Sequence, residues 1–278
     1  MGGIIGMKTI LDYSLFETQP LQFEYLNDLT QQFSAVYCAD SMVRDNIFAV
    51  IENYARKKEI HLEILKYPVH DKDLWAMTFL KKQTVFVWVN TELPLCKQFF
   101  AAAHELYHIY CYTENADQSY LKNGSILSSD IADEKGNIQE DLEANAFAGL
   151  LMMSDLALLN QMKVFGIDSC KLDVSSVLML MDLFALPYKA TILRLYECHC
   201  LNKNEAVNLL SITKEDIRLK MELTNKAKRW QLDGTGNESF GSLLEKMNFN
   251  ITHDYLTESR KKEDKTFIEN LEKELGMK

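Results

Sequence analysis

No stretch of this 278-residue chain approaches the roughly 18 consecutive apolar positions that a membrane-crossing helix requires. Nothing at its start follows the order of a secretory leader: residues 1–6 are uncharged, weakly apolar and too few, and the stretch before Met7 is set aside from fold reasoning. Six cysteines (Cys38, Cys96, Cys111, Cys170, Cys198 and Cys200) lack the regular spacing of a disulfide framework. No run of Lys and Arg is long enough to suggest a basic patch, and a formal net charge of −10 with a pI of about 5.2 gives a surface that repels phosphate. Internal repeats and low-complexity tracts are missing too. Together these absences exclude a membrane span and a secreted disulfide scaffold, and they make nucleic acid a poor partner. They leave the expectation of a cytoplasmic protein whose thiols are reduced and buried.

What the sequence does have is material for a core. Hydrophobic residues make up 47% and charged residues 25%, the balance of an ordinary globular chain. Apolar residues recur at Leu26, Leu29 and Phe33, then at Val43, Ile47, Val50, Ile51 and Tyr54, which predicts helices within residues 21–58, with Asp40 or Ser41 capping the second. The period then falls to two. Ile60, Leu62 and Ile64, then Trp75, Met77 and Phe79, then the β-branched and aromatic run 84–89 read as three short strands between turns at 67–73 and 81–83. An antiparallel meander is the economical arrangement.

With Pro94 near its first turn, a helix is expected over 95–112, followed by a loop over 117–137 and a second helix over 139–160. Further helices are expected over 174–184, 188–199, 203–210 and 214–232, with a hinge at 234–241 and a charged helix closing the segment 243–275. The fold class is α+β: a small antiparallel sheet packed on core helices, then an all-helical region. The expected divisions are 1–160, 161–222 and a charged extension, 223–278.

The helix over 95–112 carries His104-Glu-Leu-Tyr-His108. Side chains at i and i+4 lie one turn apart on one face, so both imidazoles can reach a single metal ion. Zinc binds neutral imidazole, and catalytic zinc sites use three protein ligands and a water. Glu105, beside the first histidine, is placed to take a proton from that water. Three fixed positions alone make a common pattern. The surroundings sharpen it: Phe99, Phe100, Ala101, Ala102, Ala103 and Ile109 bury this helix, and buried polar groups without partners cost about 1–3 kcal/mol each. One Zn2+ per chain would satisfy both rings. A third ligand must come from elsewhere, and the acidic helix start at 139–148 is the best source.

Here the chain resembles the ImmA/IrrE family of zinc metallopeptidases, whose His-Glu-Leu-x-His helix is followed some thirty residues on by an acid, Ala-Asn-x-Phe-Ala and a Leu-Leu-Met-Pro-like end. This chain has Ala144-Asn-Ala-Phe-Ala148 and Leu150-Leu-Met-Met-Ser154, and residues 184–195 look like the family's helical continuation. The resemblance, over about residues 40–200, implies a zincin-like sheet and metal helices, then a helix-turn-helix-like bundle. It implies a peptide hydrolase with Glu105 as catalytic base and His104 and His108 as ligands. The family's ligand Glu stands four residues before the Asn, where this chain has Asp141, one methylene shorter. Glu143 and Glu140 are alternatives with longer reach, although both point away from the stripe of Asn145. Asn145 is expected to hydrogen-bond a ligand histidine.

The resemblance also implies a substrate: a helix-turn-helix transcriptional repressor, cleaved to release stress-response genes or mobile elements. In peptidases of this architecture an edge strand beside the metal helix holds the substrate backbone. Val85, Val87 and Val89 on the strand 84–89 are candidates for that role if their strand is an edge; an interior strand is the alternative. Tyr107, Tyr110, Tyr112 and Tyr188 are equal candidates for an oxyanion-stabilising hydroxyl. Cys198-His199-Cys200 resembles a second metal cluster, but three adjacent residues on a helix cannot all face one ion. The rival function is a non-catalytic regulatory module, binding DNA or protein and retaining the same fold.

Overall fold

The computed structural model describes residues 9–114, 125–128, 139–231 and 234–274. In chain order these form α1 (Leu15–Thr18), α2 (Pro20–Tyr37), α3 (Ile47–Lys57), β1 (His61–Tyr67), β2 (Leu74–Lys81), β3 (Thr84–Asn90), α4 (Leu95–Glu114), β4 (Ser125–Ser128), α5 (Gln139–Met152), α6 (Asp155–Val164), α7 (Val174–Phe184), α8 (Tyr188–Glu197), α9 (Lys203–Leu210), α10 (Lys214–Thr224), α11 (Lys228–Gln231), α12 (Leu243–Thr252) and α13 (Glu258–Glu274). The class is α+β, as the change of hydrophobic period requires. Most of the loop expected over 117–137 lies outside the described residues, and its described part contains β4.

The sheet is not a meander. Its order is β1-β3-β2-β4, with β1 and β3 parallel and the other pairs antiparallel. A two-residue turn, with Lys82 in the left-handed region, fixes β2 against β3. The longer connection 68–73 carries the chain one strand width past β1, and β3 fills the space. Asn90 locks that connection. Its Nδ2 donates to the carbonyls of Val69, Asp71 and Leu74 at 2.9–3.0 Å, while its Oδ1 accepts from the amides of Val69 and Glu92. The same residue ends β3, so the turn into α4 is held where the sheet ends. Pro94 then accepts the first helical bonds, from Lys97 and Gln98.

Helix α4 lies on β2, β3 and β4 and packs along α5. Ala101, Ala102, Ala103, Ala144 and Ala148 are all fully buried, and small side chains let two helices approach closely. The helix expected over 139–160 is two helices. Ser154, in extended backbone, caps α6 by accepting from the Ala157 amide. Arg194 braces this break from α8. It is 2% exposed and donates Nε to the Met153 carbonyl at 3.1 Å and Nη1 to Glu197 at 2.6 Å, with Nη2 on Asp155. Its stem lies across Gly149, where a side-chain carbon would sit 3.1 Å from Arg194 Cδ. Gln139–Val164 is the one described stretch apolar and long enough to cross a membrane, and most of it is buried inside the protein.

The segment expected to be a hinge is tied down. Ser239 exchanges two backbone bonds of 2.7 and 2.8 Å with Lys66 on β1, and the Gly236 amide donates to Thr91. Glu63 receives the amide and hydroxyl of Ser242 and the Lys246 ammonium. Gly241, at φ +55°, is required there: a side-chain carbon would collide with the Glu63 carboxylate.

Arg194→Met should lower unfolding free energy by about 3–5 kcal/mol, because it strands a buried Glu197 carboxylate. Urea denaturation checks this, and a loss below about 1 kcal/mol would make the network no better than a surface pair.

Candidate metal centre

Two helices meet at polar side chains. His104, Glu105 and His108 on α4 are 0, 0 and 2% exposed, while Asp141 and Asn145 on α5 are 6 and 4% exposed. His104 Nδ1 lies 2.9 Å from Asn145 Oδ1. With Nδ1–H donating there, Nε2 keeps its lone pair, the form in which imidazole binds a metal. That Nε2 is 3.1 Å from His108 Nε2, and Asp141 Oδ1 lies 3.6 and 3.5 Å from the two nitrogens.

These three atoms form a triangle. A tetrahedral ion with bonds of about 2.0–2.1 Å separates its ligands by about 3.3–3.4 Å, in the middle of the observed range. Donor chemistry agrees with the spacing: two imidazoles and a carboxylate make a borderline site suited to zinc. Among the described residues, this is the one group of three or more His, Cys, Asp or Glu side chains close enough to share an ion. Burial acts to raise the Asp141 carboxyl, but the two histidines beside it outweigh this and hold the acid well below the usual range.

The rival acids are committed elsewhere. Glu140 is exposed. Glu143 accepts from Tyr107 Oη at 2.6 Å, from Gln139 Nε2 at 2.9 Å and from Gln22 Nε2 at 3.0 Å, which fastens α5 to α4 and α2. Asp141 reaches both histidines despite its short side chain because the alanine-rich contact brings α4 and α5 together. The tyrosines separate as well. Tyr107 is spent on Glu143, and Tyr188 Oη donates to the Leu209 carbonyl at 3.1 Å.

Val85, Val87 and Val89 are a correction. They are fully buried, and β3 has β1 on one side and β2 on the other, so its backbone has no open edge for a substrate. The edge on the far side of β2 is β4, which a short Ser-Ile-Leu-Ser stretch did not announce. Sequence reasoning also missed a groove of about 640 Å³, lined by Trp75, Phe100, Leu193 and Ile217 among others. It reaches the centre only at Asn145, so this groove runs beside the three candidate ligands rather than around them.

Purified protein should contain one zinc per chain by elemental analysis. Asp141→Ala and the double change His104→Ala, His108→Ala should abolish it, Asn145→Ala should weaken affinity about 10–100-fold, and Glu140→Gln and Glu143→Gln should leave the stoichiometry unchanged. Full metal content in Asp141→Ala would remove the acid from the site.

The chain was compared with known proteins. No curated protein matches it. A family model described as the IrrE N-terminal-like domain, peptidase M78, matches residues 57–196, half of the chain and every residue of the centre. The chain therefore belongs to the IrrE N-terminal-like family of peptidase M78.

Proposed function

We propose that this protein is a zinc-dependent endopeptidase of the ImmA/IrrE type, cytoplasmic, acting on a helix-turn-helix transcriptional repressor to relieve repression. The observation that carries the reading is the buried triangle of His104 Nε2, His108 Nε2 and Asp141 Oδ1, with sides of 3.1, 3.5 and 3.6 Å. Membership of a peptidase family supports the reaction class.

A bound zinc ion supplies a Lewis acid that polarises the scissile carbonyl and makes a nearby water more acidic. The chain's own groups do the rest. His104, His108 and Asp141 hold the cation, and Asn145 fixes the tautomer and orientation of His104. Glu105 takes a proton from the attacking water and returns it to the departing amine. Strand β4, the edge strand beside α4, offers backbone amides and carbonyls to an extended peptide, whereas the outer side of β1 is bridged by Ser239 at Lys66. The groove past Asn145 has room for several residues of polypeptide.

One observation favours the rival DNA-binding reading. Helices α7 and α8 are bent by 101° across residues 185–187, within the range of helix-turn-helix units. Burial weighs more heavily against it. Thr191, Ile192, Leu195 and Tyr196 are buried on α8, and Arg194 is held by Asp155 and Glu197, so the second helix has little face left for a DNA groove.

Co-expression with a helix-turn-helix repressor encoded beside it should give a cleaved repressor. Glu105→Gln should keep its zinc while slowing cleavage about 10²–10⁴-fold. Equal cleavage by both proteins would sink the assignment of Glu105. A metal-loaded wild type that binds the repressor and leaves it intact would establish the non-catalytic reading instead.

A further inference from the structure

The groove beside the metal centre has a chemistry that the hydrolase reading leaves unused. Residues from α4, α5, α8, α10 and α11 line it. On α10 the lining positions Lys214, Ile217, Arg218 and Met221 recur at helical spacing and so make up one face. Phe100, Ala146 and Ile217 are buried and Leu193 and Met221 half-buried, so the apolar groups lie deep. The basic groups form the rim: Lys72, Lys189, Lys214, Arg218 and Lys228 are exposed, and Lys97 is half-buried. These six are dispersed between positions 72 and 228, which is why no run of Lys and Arg marks them in the sequence.

Arg194 and Glu197 also border the groove, but they are held by each other. With that pair set aside, six basic side chains stand against two acidic ones, Asp73 and Glu222, among the described residues of the lining. Glu222 pairs with Arg218 at 3.5 Å, but both are exposed, where an ion pair contributes little. The chain as a whole carries a formal charge of −10, so a basic rim here runs against its composition. A positive cleft with low-dielectric walls focuses the field and draws in negative ligands. We propose that this groove is a docking site for an acidic, amphipathic segment of a polypeptide substrate, held alongside the metal centre. The link to cleavage rests on the peptidase reading; the binding itself does not.

Charge alone would equally admit a nucleic acid, and shape decides against it. Duplex DNA is read by an element that projects into its groove, whereas this site is a cleft of about 640 Å³. A single strand needs a row of open aromatic faces on which bases stack. Trp75 and Phe100 are only 6 and 5% exposed, and the Lys97 ammonium lies 4.4 Å from the centre of the Trp75 ring. Tyr188 is half-buried, with its hydroxyl held by the Leu209 carbonyl. A peptide with acidic side chains toward the rim and apolar ones toward Phe100, Leu193 and Ile217 matches both parts of the lining. Asn145, which holds His104, lies on the same lining, so a docked segment runs up to the centre without covering its ligands.

The test measures binding to the full-length, zinc-loaded Glu105→Gln protein, so that no peptide is consumed. Three fluorescent peptides share one pattern of Leu and Phe and carry Glu, Gln or Lys at the remaining positions. A labelled single-stranded oligonucleotide is the fourth probe. The Glu peptide should bind about 10-fold or more tighter than the Gln peptide, with affinity falling as salt rises, and the Lys peptide should not bind. Lys214→Glu with Lys228→Glu should weaken the Glu peptide about 10-fold or more, and Met221→Gln about 3-fold. Lys262→Glu with Lys265→Glu, the same change of net charge on α13 outside the groove, should leave its affinity unchanged. Tighter binding of the oligonucleotide, no preference for Glu over Gln, no effect of Met221→Gln, or equal weakening by the two charge pairs would overturn the proposal. Zinc content should stay at the starting value in every variant. Failure of the peptidase reading shows separately, as a repressor left intact by the metal-loaded wild type.

Discussion

Two imidazoles and a carboxylate leave water together where α4 meets α5, and much of the described core is arranged around that event. Withdrawing a charged or strongly polar group from water costs several kcal/mol unless it finds partners of its own kind. His104, His108, Asp141 and Asn145 supply each other, and the alanines around them allow the helix axes to come close enough for a short aspartate to serve. The surrounding polar ties work on the same contact. Glu143 joins Tyr107 to Gln22, and Arg194 secures the far end of α5, so neither helix can slide without breaking bonds buried at some distance from the centre.

How much of this was legible depended on how local the signal was. The spacing of His104 and His108 is a property of one helix and could be read directly. Preferring Asp141 to Glu140 and Glu143 rested on the family's ligand position four residues before the Asn and on helical geometry, since Asp141 shares a face with Asn145. The resemblance to ImmA/IrrE peptidases rested on two short motifs in order, and the family match spans both.

Sheet order was less accessible because it depends on which strands meet rather than on any one strand. The run of Val85, Phe86, Val87, Trp88 and Val89 is apolar on both faces, which marks an interior strand, yet its place directly before α4 suggested an edge. Ser154 hid for a different reason. Its capping signal sits inside an unbroken apolar rhythm, and only the extended backbone at that residue reveals two helices. Arg194 is the sharpest case. Nothing in the sequence around it marks it as a core residue, whereas its surroundings show a buried guanidinium holding two helices together.

The pairing of Ser239 with Lys66 bears on how the chain matures. A ribosome releases β1 long before it releases Ser239, so the nascent sheet displays a bare lateral row of amides and carbonyls until late in synthesis. Such a row is a template for any passing extended segment, including one from a neighbouring nascent copy. Once made, the pairing of Ser239 with Lys66 and the ties of Ser242 and Lys246 to Glu63 close part of that row.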